Sequence, residues 1–229
     1  MLEIVSFTLG PAQTNAYLVA DSESKEAAVI DPAWDGHVIL GAAQQRGWRI
    51  GHLWYTHAHF DHIGGAGAIA DALNPLPLVA LHPNDHVLWR AGGGGSLFGF
   101  DIDPGPEPTI DFVHGMKLKL GSVDFEIRFT PGHTTGHCAL YVPVASTCFC
   151  GDLIFSGLSA RLTSPAEIGA RSKKVSASKY LLCPMKQGCF LVTARNDGGG
   201  GEEGVIRLWG IKYRKIYLAI ADLQPASAK

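Results

Sequence analysis

The run Thr56-His57-Ala58-His59-Phe60-Asp61-His62 gathers four side chains able to grip a cation within six residues. Imidazole and carboxylate together suit Zn²⁺ and related first-row ions. On extended backbone His57 and His59 face the same way. Asp61 and His62, turning into a helix, then address a neighbouring position, so one loop can serve two adjacent ions. A second group stands in Thr130-Pro131-Gly132-His133-Thr134-Thr135-Gly136-His137, and a third element is Cys150-Gly151-Asp152. Each of these two alone reads as an ordinary turn. Catalytic metal sites draw their ligands from several strand ends, so the three segments together carry more weight than any one of them.

The elements that must position these groups follow from hydrophobic periodicity. Leu2 to Thr8, Ala16 to Ala20 and Ala27 to Ile30 read as successive strands, followed by a helix between Asp35, its expected cap, and Gly47, its terminator. A strand from Ile50 to Tyr55 runs into the first histidine loop. An alanine-rich helix from Gly64 to Leu73, a strand from Leu76 to Leu81 and a short helix from Asn84 to Ala91 come next. Residues 92 to 109, with GGGG and three prolines, read as a loop of the kind that borders sites. Met116 to Leu120 and Val123 to Phe129 flank Gly121-Ser122 as a hairpin, and Cys138 to Val142 and Thr147 to Cys150 continue the strand pattern. Beyond Leu158 only Cys189 to Thr193 and Lys215 to Ile220 suggest strands. The whole is an α/β chain.

At 229 residues, with 46% hydrophobic and 17% charged residues, the chain has the composition of a folded globular protein and excludes a disordered one. A formal charge of −2 offers no cationic field for nucleic acid or an anionic membrane, so a small-molecule partner is expected; oligomeric state is open. Glu3 stands where a signal peptide wants basic residues, no apolar run approaches spanning length, and five cysteines make no paired framework. A cytoplasmic location is the expectation. The distribution is uneven. All ten histidines lie at or before His137, and residues 1–152 carry 16 acids against 7 Lys/Arg, whereas 153–229 carry 5 against 12.

The strand with Asn15 and Tyr17, the Val29-Ile30-Asp31-Pro32 turn, the His-x-His-x-Asp-His loop, Pro-Gly-His-Thr-x-Gly-His and Gly-Asp-x-Ile-Phe together resemble the metallo-β-lactamase superfamily, and within it the glyoxalase II-like (hydroxyacylglutathione hydrolase-like) thioester hydrolases. The resemblance covers about the first two-thirds of the chain. It implies an αββα sandwich with the site at one edge of two packed sheets. It also implies a first metal on His57, His59 and His133, a second on Asp61 and His62, and Asp152 bridging them. Asp61 would orient the attacking water and take its proton. By the same resemblance His137 supports the ligands rather than joining them, and Asp31 orders the turn beside the site. Two divalent ions about 3.5–4 Å apart lower the pKa of a shared water towards neutrality, and a thioester suits such a site because thiolate leaves readily. Zn²⁺ is the expected cofactor, with Fe or Mn as alternatives, and a thioester the expected substrate.

The pattern breaks after Gly157. The family places a further histidine downstream in a Pro-Gly-His-Gly turn, and relatives follow Gly-Asp-x-Ile-Phe with Gly-Arg-x-Asp; neither stands here. The expectation is therefore a metal-binding domain over residues 1–157 and an atypical segment over 158–229, frameshifted or otherwise replaced, with a weakened second metal position. Competing readings are a mononuclear iron persulfide dioxygenase using His57, His133 and Asp152, and a metal-binding remnant with impaired activity. Nuclease, lactonase and lactamase branches share the same core motif.

Overall fold

The computed structural model describes residues 1–155, 158–159, 191–195 and 205–207. Two six-stranded sheets dominate them. In the first, β1 (Leu2–Leu9), β2 (Thr14–Asp21) and β3 (Glu26–Ile30) pair antiparallel. β4 (Arg49–Trp54), β5 (Leu78–Leu81) and β6 (Ile110–Asp111) then add in parallel. Parallel neighbours need crossovers. These are α1 (Gly36–Arg46), the pair α2 (Phe60–Ile63) and α3 (Ala66–Asp71), and α4 (His86–Arg90).

The second sheet contains β7 (Lys117–Leu120), β8 (Val123–Phe129), β9 (Cys138–Val142) and β10 (Thr147–Phe149), all antiparallel. β11 (Ile154–Phe155) and β12 (Leu158–Ser159) form a separate small pair, and β13 (Leu191–Arg195) and β14 (Val205–Arg207) extend the second sheet beyond β10.

Alternation along β2 shows how one strand serves two cores. Ala16, Leu18 and Ala20 join Ile39, Ala43, Ile63 and Ile69 beneath the helices, while Tyr17 and Val19 meet Phe125, Leu140 and Phe149 between the sheets. Both faces of the first sheet are thereby buried, which is why its strands read as nearly continuous apolar runs. Cys138 packs between the sheets, and Cys148 and Cys150 form a smaller cluster with Ala139.

The structure departs from the sequence reading at several boundaries. The expected helix from Gly64 to Leu73 begins earlier and breaks in two, because the Gly64-Gly65 pair lets the turn after β3 lie against it. A Cβ on Gly65 would stand 2.7 Å from the Pro32 carbonyl oxygen, to which the Gly65 N–H donates at 2.7 Å. Asp35 does precede α1, but with left-handed backbone (φ 46°) and no side-chain capping bond; Gly47 terminates the helix as expected. The helix expected at Asn84 is a tight turn over Pro83–Asp85 before α4. Residues 92–98 coil into 3₁₀ turns instead of an irregular loop. The strand expected over Cys189 to Thr193 is described over Leu191–Arg195, β14 was not foreseen, and Lys215 to Ile220 lies outside the described residues.

Candidate metal centre

Every segment singled out for its chemistry emerges at the same edge of the sheets. β4 delivers His57 and His59, α2 carries Asp61 and His62, the β8–β9 connection carries His133 and His137, and the turn after β10 carries Asp152. His59 Nδ1 and His133 Nε2 face each other at 2.9 Å. The His57 ring lies 4.8 Å from each of those two rings and 4.1 Å from that of His62. Asp152 spans the cluster, with Oδ1 3.2 Å from His62 Nε2 and Oδ2 3.3 Å from His133 Nε2. Asp61 Oδ2 is 3.6 Å from His62 Nε2. Two donor sets share His57: His57, His59 and His133, and His57, His62 and Asp152, each with its ligand atoms within 4.8 Å of one another.

Asp31 orients this cluster from below. Its carboxylate accepts from the Thr56 backbone N–H (2.7 Å), the Thr56 hydroxyl (2.7 Å) and His62 Nδ1 (3.0 Å). The Thr56 oxygen in turn accepts from His57 Nδ1 at 3.0 Å. Both imidazoles thus use Nδ1 for support, leaving Nε2 to point into the cluster. Asp31 holds these three donors from a left-handed backbone (φ 49°) and is in neither donor set, which accords with ordering rather than ligation.

The donor set fits a cation on its own evidence. His57 is fully buried, yet among the described residues its Nε2 has no hydrogen-bond partner. A buried polar atom left in that state needs an explanation, and an ion between these nitrogens supplies one. Electrostatics agree. Burial, then the neighbouring imidazoles, hold His57 well below the usual histidine range, so it offers a neutral lone pair. Burial likewise lowers His59 and His133. For His62 burial opposes charge, but Asp152 and Asp31 outweigh it and hold the ring well above the usual range. For Asp152 burial is in turn outweighed by His62 and His133, which keep its carboxyl low.

His137 is fully buried and stands apart from both donor sets. Its Nδ1 meets the Thr130 hydroxyl at 2.8 Å, and burial pushes it down to about 3. Of the aromatic residues near the site, Trp54 packs against Phe125 (4.9 Å) and Trp89 donates Nε1 to the Pro104 carbonyl (3.1 Å), so both serve packing. Phe98 remains exposed, its ring 5.2 Å from that of Phe60, the residue after His59.

Sequence reasoning missed Thr14, whose hydroxyl donates to Asp61 Oδ2 at 2.8 Å, and Asp85, which accepts from Ala58 between the first two histidines. Nothing in the local sequence marks either. Their partners lie 47 and 27 residues away.

The profile of the metallo-beta-lactamase superfamily matches residues 9–183. An uncharacterised protein of Aquifex aeolicus is 31% identical over 195 residues, covering 82% of this chain and 87% of that one. A hydroxyacylglutathione hydrolase of Maricaulis maris is 32% identical over 163 residues, covering 70% of this chain and 56% of its own length. The chain spans about half the length of the curated hydroxyacylglutathione hydrolases it matches. The crystal structure of TTHA1623 in a di-iron-bound form superposes with a TM-score of 0.61 at 34% identity, over 70% of this chain and 78% of that one. With two stacked sheets, histidine loops at their common edge and a matching profile over most of its length, the chain belongs to the metallo-β-lactamase superfamily.

Proposed function

We propose that the chain is a metal-dependent hydrolase of thioesters of the hydroxyacyl-glutathione type. The observation that carries the reading is the Asp152 carboxylate, one oxygen towards His62 and the other towards His133, between two donor sets that share His57. In this reading His57, His59 and His133 would hold one divalent ion and Asp61 and His62 a second, with Asp152 placed to serve either. Bound there, the ions supply Lewis acidity that lowers the pKa of water and polarises a carbonyl oxygen.

The chain's own groups do the rest. Thr14 fixes Asp61 Oδ2, so the carboxylate keeps a set orientation from which it accepts the proton of the attacking water. Asp31 and Thr56 hold the imidazoles of His57 and His62 in one tautomer. The exposed Phe98 ring beside Phe60 offers an apolar surface for the acyl portion. Hydroxyacylglutathione hydrolases among the relatives, at about 32% identity, support the substrate class.

Purified protein with its metal content determined, tested on a hydroxyacyl-glutathione thioester by loss of thioester absorbance, decides the matter. Hydrolysis that disappears on chelation and in Asp61→Asn is the expected result. About one equivalent of iron with oxygen uptake on a persulfide, and no thioester turnover, would instead establish the dioxygenase chemistry.

A further inference from the structure

Asp85 ends the tight turn after β5 and is 1% exposed. Its carboxylate accepts three hydrogen bonds from the two histidine loops. Oδ2 accepts the Ala58 backbone N–H at 3.1 Å and the Thr134 hydroxyl at 2.7 Å, while Oδ1 accepts the Gly136 backbone N–H at 2.7 Å. Ala58 lies between His57 and His59, and Thr134 follows His133. The same turn is fastened again next door: the Asn84 side-chain amide donates to the Thr135 carbonyl (3.2 Å), and the Thr135 hydroxyl donates to the Asn84 carbonyl (3.1 Å). The approach is as close as glycine permits, since a Cβ on Gly136 would stand 2.7 Å from Asp85 Cγ.

These contacts join segments that are 27 and 49 to 51 residues away in the chain. Nothing else described binds a side chain to both loops this way while lying outside the donor sets. We propose that Asp85 is the positioning residue of the first metal position, the clamp that brings His133 within reach of His57 and His59. The inference rests on the metal-binding reading above. A buried carboxylate holding three strong donors sets its neighbours' geometry rigidly, and supporting groups of this kind tune metal affinity.

The test uses the full chain. Asp85→Asn keeps shape but turns one acceptor oxygen into a donor. Whichever way the amide faces, an NH₂ meets a backbone N–H, that of Ala58 or that of Gly136. Zn²⁺ affinity is read by competition with a chromophoric chelator, alongside the unfolding midpoint of the metal-free protein. The expected result is an affinity roughly 10- to 100-fold lower than wild type for the tighter ion. Unchanged affinity, with or without a lower midpoint, would reduce Asp85 to a structural residue and overturn the proposal. Should Asp85→Asn not fold, Thr134→Val removes only one donor and Thr134→Ser restores it. Weaker binding in the first and recovery in the second support the clamp, whereas equal binding in both overturns it. A wild-type chain that binds no zinc would defeat the metal reading itself, which distinguishes that failure from this one.

Discussion

His137 makes the acid response of the fold predictable. Its protonation is suppressed in the folded state down to about 3, while the unfolded chain takes up the proton near the ordinary value of 6.5. Its contribution is therefore intact above about pH 6.5 and is lost as pH falls towards 3. His62 has the opposite sign: raised by Asp152 and Asp31, it adds stability below the ordinary histidine value and loses it as pH rises through its own. His57, His59 and His133 side with His137. Urea unfolding of the metal-free protein between about pH 4 and 5.5 should show stability falling with acid. His137→Gln should flatten that slope by on the order of 1 kcal/mol per pH unit. A slope left unchanged would mean that His137 takes up its proton in the fold. The histidine residues themselves were legible because their spacing is rare and chemically specific. Asp85 and Thr14 were not, because an isolated Asp or Thr acquires meaning only from partners distant in the chain.

At the scale of elements, the turn after β10 governs where Asp152 goes. Gly151 has φ 49°, and a Cβ there would press on Thr56 and stand 2.7 Å from His137 Nε2. Gly151→Ala combines left-handed strain with overpacking, each costing about 1 kcal/mol or more. We expect a lower unfolding midpoint together with weaker metal binding, checked by thermal unfolding with and without zinc. A lower midpoint with full metal affinity would show that the turn yields without moving Asp152. Strands and hairpins were readable because alternation and Gly121-Ser122 fix them locally, and Leu120 pairs with Val123 as a two-residue loop requires. The split between α2 and α3 was not readable. It arises because Gly64 and Gly65 accommodate Trp34 and Pro32, a contact between crossovers rather than a local preference.

Across the whole molecule, strands alternating with helical segments made the α/β class legible, while the sandwich itself was implied by the motifs' resemblance to a known superfamily; the first sheet carries two cores because both of its faces are covered. Among the described residues the second donor set draws on His57, His62 and Asp152, with Asp61 alongside, and the sequence holds no histidine beyond His137. A zinc titration of the metal-free protein should accordingly give one tight equivalent and a second, weaker one. Two equally tight equivalents would require a further ligand from elsewhere in the chain. The charge step at residue 152 coincides with the end of the readable motifs, yet β13 and β14 continue the second sheet and the superfamily profile runs on to residue 183.

The shared footing on Asp31 couples the two donor sets. One carboxylate seats His62 directly and His57 through Thr56, so a substitution at Asp31 would loosen both sets at once rather than one of them.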